Sequence, residues 1–268
     1  MILPSASSLA WLVAATAAVA YLVPAALASR TSASTSRIVM APAWFLHAMA
    51  LAWGLLNEAP HFGFAPALSM TVWLVSSTYA IERELFPQMQ ARRALLALSV
   101  VGALAILGAA AFPGLPLSLT ASPWLALHLT LGLACYGLFA TAVAHAWLMG
   151  RAERQIRLAA ENHSGLPLLM LERLTFRFVS AGFVLLSATL AAGWLFGETL
   201  YGHAWSWNHK AVFSLLAWLV FAVLLLGRAR FGWRGRTAVR MLYAGSALLL
   251  LAYVGSRFVL EVVLGKAT

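Results

Sequence analysis

The chain has 268 residues, 62% of them hydrophobic and 10% charged, with a mean hydropathy of +0.85. Eighteen basic and eight acidic side chains cannot clothe a water-soluble domain of this length, so the composition excludes one and specifies a membrane protein. The formal charge of +10 lies in short clusters between apolar runs, a pattern that marks membrane orientation and argues against nucleic-acid binding.

About eight apolar runs of roughly 20 residues follow one another, each long enough as a helix to cross a hydrocarbon core of about 30 Å. They predict an all-α, polytopic integral membrane protein, a single transmembrane helical domain over 1–268. The spans fall near 9–28, 39–56, 65–83, 94–112, 123–149, 174–197, 210–227 and 239–262. The first run ends in Ala-Leu-Ala-Ser like a signal peptide, but it lacks a basic n-region and has the length of a retained span. Pro24 is expected to kink or end it.

Charge sets the orientation. Arg30 and Arg37 follow the first run; Arg83, Arg92 and Arg93 follow the third. Arg151, Arg154, Arg157, Arg173 and Arg177 follow the fifth, and Arg228, Arg230, Arg234, Arg236 and Arg240 the seventh. Fifteen of the 18 basic residues thus belong to odd-numbered connections, which are expected to be cytoplasmic. With eight spans, both termini are then extracytoplasmic, as is the Trp-rich connection near 198–210. The longest connection, 150–173, contains RAERQIRLAAEN and then Gly165 and Pro167, which predicts a short interfacial helix and a turn.

All eight acidic residues are Glu, and the single cysteine, Cys135, sits inside an apolar run. No intramolecular disulfide and no CxxC motif is available. Histidines within apolar runs need an internal partner or a ligand. His47 lies about 14 Å below the outer end of the second run, where an interhelical hydrogen bond and a cofactor or proton-transfer role are both open. His128 is about a turn and a half inside the fifth run, after Pro123 and Trp124. His145 stands seventeen residues further on, about 25 Å of rise, so the two cannot hold one metal ion.

The most distinctive segment is GETLYGHAWSWNHKAVFSLLAW, starting at Gly197. It gathers Tyr201, His203, Trp205, Trp207, His209 and Lys210 at the outer face. An aromatic belt with Asn208 as an N-cap accounts for it structurally. Functionally, the aromatic faces could support a flat apolar ligand such as haem, with His and Lys ligating iron or a propionate. The GRARFGWRGR cluster from Gly227 enforces topology or holds anionic lipid. In the last run Arg257 and Glu261, one helical turn apart, are placed for an ion pair or for snorkelling.

The stretch WSWNHKAVFSLLAWLVFAVLLLGRARFGWRGR resembles the C-terminal half of the CcsA/CcmC/HemX family of haem-handling cytochrome c assembly proteins, whose hallmark is a motif of the form WGWDPKE. The wider pattern looks like the YpjD inner-membrane branch of that family. PWLALHLTLGLACYG around His128, LMLERLTFRFVSAGF and YVGSRF extend the likeness, which covers about 40–262 and is most specific over 124–262.

The resemblance implies a bacterial inner-membrane protein that binds or handles haem on the extracytoplasmic face for cytochrome c assembly. It implies an accessory factor and not an enzyme, with haem, apocytochrome c or other assembly proteins as partners besides the lipid bilayer. At matching positions it implies Trp205 and Trp207 as the haem platform, Lys210 as the motif's lysine, His128 as an axial iron ligand and His47 as the histidine of an early span. Asn208 stands for the motif's Asp, His209 for its Pro, Ala211 for its Glu and Phe213 for the following Trp. Where the family has a second external histidine after the last span, this chain reads LEVVLGKAT, so His209 or His203 is the candidate replacement. The alternative is a non-haem membrane scaffold or transporter with a decayed haem motif.

Overall fold

The computed structural model describes residues 8–27, 33–56, 60–86, 92–116, 123–158, 168–197 and 207–264. Among them are eight helices long and apolar enough to cross a membrane. In lipid the backbone must satisfy its own polar groups, and a helix does so within one segment. The spans are α1 (Ser8–Leu27), α2 (Ala33–Leu56), α3 (Phe64–Leu85), α4 (Arg92–Ala111), α5 (Pro123–Arg157), α6 (Leu168–Leu195), α7 (His209–Phe231) and α8, which begins as Gly235–Leu250. The last span runs on to Val263 through two π turns, Leu251–Gly255 and Val259–Val263, around the α turn Ser256–Phe258. Pro24 is carried inside α1 and does not end it.

One expectation is corrected. RAERQIR is not a separate interfacial helix: α5 continues unbroken through it to Arg157. At 35 residues this helix is about 50 Å long, so its basic end projects past a core of about 30 Å. Nothing in RAERQIR breaks the helix, because Ala, Arg, Glu and Gln all favour it. The Gly165/Pro167 break lies outside the described residues.

The helices fall into two compact units. The first comprises α1 to α4, a two-residue bridge of β1 (His61–Phe62) with β2 (Leu115–Pro116), and residues 260–264. Ala14, Ala17 and Ala18 of α1 pack on Ile106 of α4, the small side chains letting the helices come close. Gly102 of α4 faces the Tyr21 ring, which lies 2.6 Å from where a Cβ would stand. Gly114, at φ 87°, turns the chain beside Phe62 and Gly63, a backbone that a side chain would strain. The Glu261 carboxylate also packs against Gly63, 2.7 Å from a Cβ placed there.

The second unit comprises α5 to α8 as far as Val259. Its core is made by stripes at helical spacing: Cys135, Phe139, Ala142 and Ala146 on α5, Ala217, Phe221 and Leu224 on α7, and Ala238, Leu242 and Leu249 on α8. Phe139 and Phe221 stack with ring centroids 3.8 Å apart. Gly182 of α6 and Gly245 of α8 make room for the pair, since a Cβ at either would lie 3.1 Å from Phe139 or 2.8 Å from Phe221.

At one end of this unit Gly232, in the left-handed region at φ 65°, closes α7, and Trp233 folds back with its N–H on the Gly227 carbonyl and its ring over Gly227. Glu172 of α6 clasps this turn, accepting from Arg228 Nη1 at 2.8 Å and lying 3.2 Å from Arg234 Nε.

Candidate functional site

The Phe139/Phe221 stack serves as a level marker in the second unit. Phe221 is one residue past the midpoint of the 23-residue α7, so the stack lies near the centre of that span. Eleven residues back along α5 is His128, and eleven back along α7 is Lys210. Both are therefore about 16 Å above the stack, at the edge of a hydrocarbon core whose half-thickness is about 15 Å. Gly182 opposes Phe139 on the antiparallel α6, and eleven residues on from it is Gly193.

Direct contacts agree with this level. The His128 ring lies against Gly193, its Cε1 3.4 Å from where a Cβ would stand, and beside the backbone of Thr189. One turn earlier on α5, Trp124 stacks on Phe196 with centroids 4.0 Å apart and planes within 10°. Trp124 and His128 thus share the face of α5 that α6 covers. His128 is half-buried: α6 holds the ring and does not seal it.

The level continues onto α8. Tyr136 Oη donates to the Leu249 carbonyl, and Gly245 meets Phe221. Eight residues separate Tyr136 from His128, and eight separate Leu249 from Arg257. Arg257 therefore stands at the height of His128 and Lys210.

Just beyond this layer, the start of α7 is exposed. Trp207 is 72% exposed, His209 is exposed and Lys210 is half-buried. Asn208 is the N-cap, its Oδ1 accepting from the Ala211 N–H at 3.0 Å. This cap explains why Asn can stand where the motif has Asp: either side chain supplies the same acceptor. Trp205, His203 and Tyr201 lie outside the described residues. The end thus combines a half-buried imidazole, an ammonium and a guanidinium at one depth with an exposed indole and imidazole at the rim. Such a set is chemically matched to a flat, apolar ligand bearing negative charge.

His47 belongs to the first unit and is engaged differently. It is fully buried, with the Tyr21 hydroxyl 2.9 Å from Nδ1 and the Ser69 hydroxyl 2.8 Å from Nε2. A neutral imidazole has one donor and one acceptor, so one hydroxyl donates and the other accepts. His145, at the opposite end of α5 from His128, is buried with its ring 5.4 Å from that of Phe178. Among the described residues no group of three or more His, Cys, Asp or Glu is gathered to hold a metal ion. A metal that arrives inside a macrocycle needs only one or two protein donors.

The partners Thr189, Gly193 and Phe196 were not foreseen. The Ala-Ala-Gly-Trp run near the end of α6 was the available signal, because a glycine within a span marks a close approach.

Comparison with known proteins places this architecture. The family model described as "Cytochrome C assembly protein" matches residues 5–264, and the chain belongs to that family. Inner membrane protein YpjD of Escherichia coli K12 is 35% identical over 147 residues, 54% of this chain and 55% of YpjD. Cytochrome c biogenesis protein CcsA of Prochlorococcus marinus NATL1A is 34% identical over 85 residues, 32% of this chain and 27% of CcsA. CcsA of Trichodesmium erythraeum is 34% identical over 86 residues, 32% of this chain and 24% of CcsA. The matched stretches therefore span about half the length of YpjD and about a quarter of CcsA. No solved structure matches.

Proposed function

We propose that this chain is a bacterial inner-membrane protein that receives haem as cargo and holds it at the extracytoplasmic face during cytochrome c assembly. The observation that carries the reading is the layer of His128, Lys210 and Arg257 beneath the exposed Trp207, in a chain whose family is that of cytochrome c assembly proteins. The donor set fits a haem: an imidazole for iron, cations for carboxylates and indoles for the ring. Haem supplies the iron and the vinyl groups to which a client's cysteines add.

The protein's own residues bind and orient. His128 is the candidate iron ligand at this level, its ring held against Gly193 and the Thr189 backbone with Nδ1 enclosed, so that ligation would turn the ring. Trp207, and Trp205 beside it in sequence, offer apolar faces, while Lys210 neutralises negative charge as it leaves water. His209, exposed next to the cap, is the candidate second ligand. His47 comes after these, since reaching iron would require giving up a buried hydroxyl partner. Apocytochrome c or other assembly proteins are the partners that would take the cargo, and the chain acts as an accessory factor with no bond-making step of its own.

Orientation rests on charge. Arg154, Arg157, Arg173, Arg177, Arg230, Arg234, Arg236 and Arg240 are exposed at the end of the second unit away from His128, the end assigned to the cytoplasm. Both termini are then extracytoplasmic.

The test is the visible spectrum and haem-to-protein ratio of detergent-purified wild type and H128A. Near-stoichiometric haem in the wild type, with a Soret band reduced or shifted in H128A, supports the reading. Well-folded wild type that stays haem-free after supplementation overturns it and leaves a membrane scaffold or transporter with a decayed motif.

A further inference from the structure

Arg257 has no role in the helix bundle that its surroundings explain. Its Nε is enclosed by protein yet has no hydrogen-bond partner among the described residues. The guanidinium carbon is 6.0 Å from the centre of the Tyr253 ring, a distant cation–π contact that gives Nε no acceptor. A guanidinium does not lose its proton, so this charge persists at the edge of the hydrocarbon core. A charge in a membrane span without a matched acceptor is costly and points to an occupant.

The backbone around Arg257 is also irregular. A π turn precedes it at Leu251–Gly255 and another follows at Val259–Val263. Such turns are seldom retained without a local reason and recur at functional sites. The Ser256 hydroxyl, beside Arg257, bonds the Ala252 and Tyr253 carbonyls within this irregular stretch, each at 3.0 Å.

From this orphaned donor, these turns and the shared depth with His128 and Lys210, we infer that Arg257 is a carboxylate-binding residue that orients the cargo by one propionate. The inference rests on the haem reading above and adds a polarity to it. Two cations, Arg257 and Lys210, occupy the layer of one imidazole, and a haem carries two carboxylates and one iron. Arg257 supplies a planar fork that pairs with a carboxylate through two parallel hydrogen bonds, whereas Lys210 supplies a point charge. An anionic edge held on α8 and α7 fixes which way round the macrocycle sits, and hence which edge a client meets.

The experiment titrates detergent-purified full-length protein with haemin and with haemin dimethyl ester, which keeps the ring and iron but lacks both carboxylates. Soret absorbance and tryptophan quenching are the readouts, on wild type, R257Q, R257K and H128A. Wild type is expected to bind haemin roughly tenfold or more tightly than the ester, in line with a charge-assisted pair. R257Q is expected to lose most of that preference, keeping the part that Lys210 supplies, while its affinity for the ester stays at the wild-type value, which itself reports an intact fold. R257K keeps the charge and is expected to retain part of the preference. Wild type that binds both ligands equally, or R257Q and R257K that both keep the full preference, overturns the inference while haem handling stands. Wild type that binds neither overturns haem handling and the inference together.

Discussion

A histidine in the middle of a span is tolerated when both ring nitrogens find partners, and His47 meets that condition through Tyr21 and Ser69, on two different helices. Removing either hydroxyl leaves a buried nitrogen unsatisfied, which costs about 1–3 kcal/mol. Y21F and S69A are each expected to lower the thermal unfolding temperature of the detergent-solubilised protein by more than any exposed serine-to-alanine change does. Equal unfolding temperatures would mean that the three side chains do not form the network described. The need of His47 for a partner is legible in its position within an apolar run. Its choice of Tyr21 is not, because residues 26 positions apart meet only after α1 and α2 have packed. Gly193 beside His128 was hidden for the same reason: one helix's sequence does not say which residue of its neighbour lies opposite.

At the scale of the element, helix interiors were easier to read than helix ends. Apolar runs located all eight spans, yet α5 reaches Arg157, α6 starts at Leu168 and α8 starts at Gly235, each beyond the run that announced it. Polar residues with good helix propensity extend a span into the interface without any hydropathy signal. The start of α7 was legible, since Asn before His-Lys is a capping pattern and Asn208 does accept from Ala211. N208A is expected to destabilise the protein by about 1 kcal/mol in denaturant titrations, whereas N208D preserves the acceptor and stays near wild type. If N208D behaves like N208A, the cap is not what the position provides.

For the whole molecule, the arrangement of charge makes the strongest claim. The proposed orientation puts residues near 118–120 and 200–204 outside and residues near 158–162 in the cytoplasm. Alkaline phosphatase fusions are expected to be active at the first two sites and inactive at the third, with green fluorescent protein fusions giving the reverse. The opposite pattern would invert the orientation and put His128 and Trp207 on the cytoplasmic side, where a role at the extracytoplasmic face has no support.

The turn at Gly232 also bears on how the protein is made. Only three residues separate α7 from α8, and Glu172 clasps both Arg228 at the end of the first helix and Arg234 at the start of the second. So short a link makes the last two spans one helical hairpin. Lys210 and Arg257 sit at its two tips, facing the end where His128 already waits on α5. The layer is therefore completed only when this hairpin docks. Until residues 209–263 are in the bilayer, a nascent chain has the imidazole of His128 but neither cation.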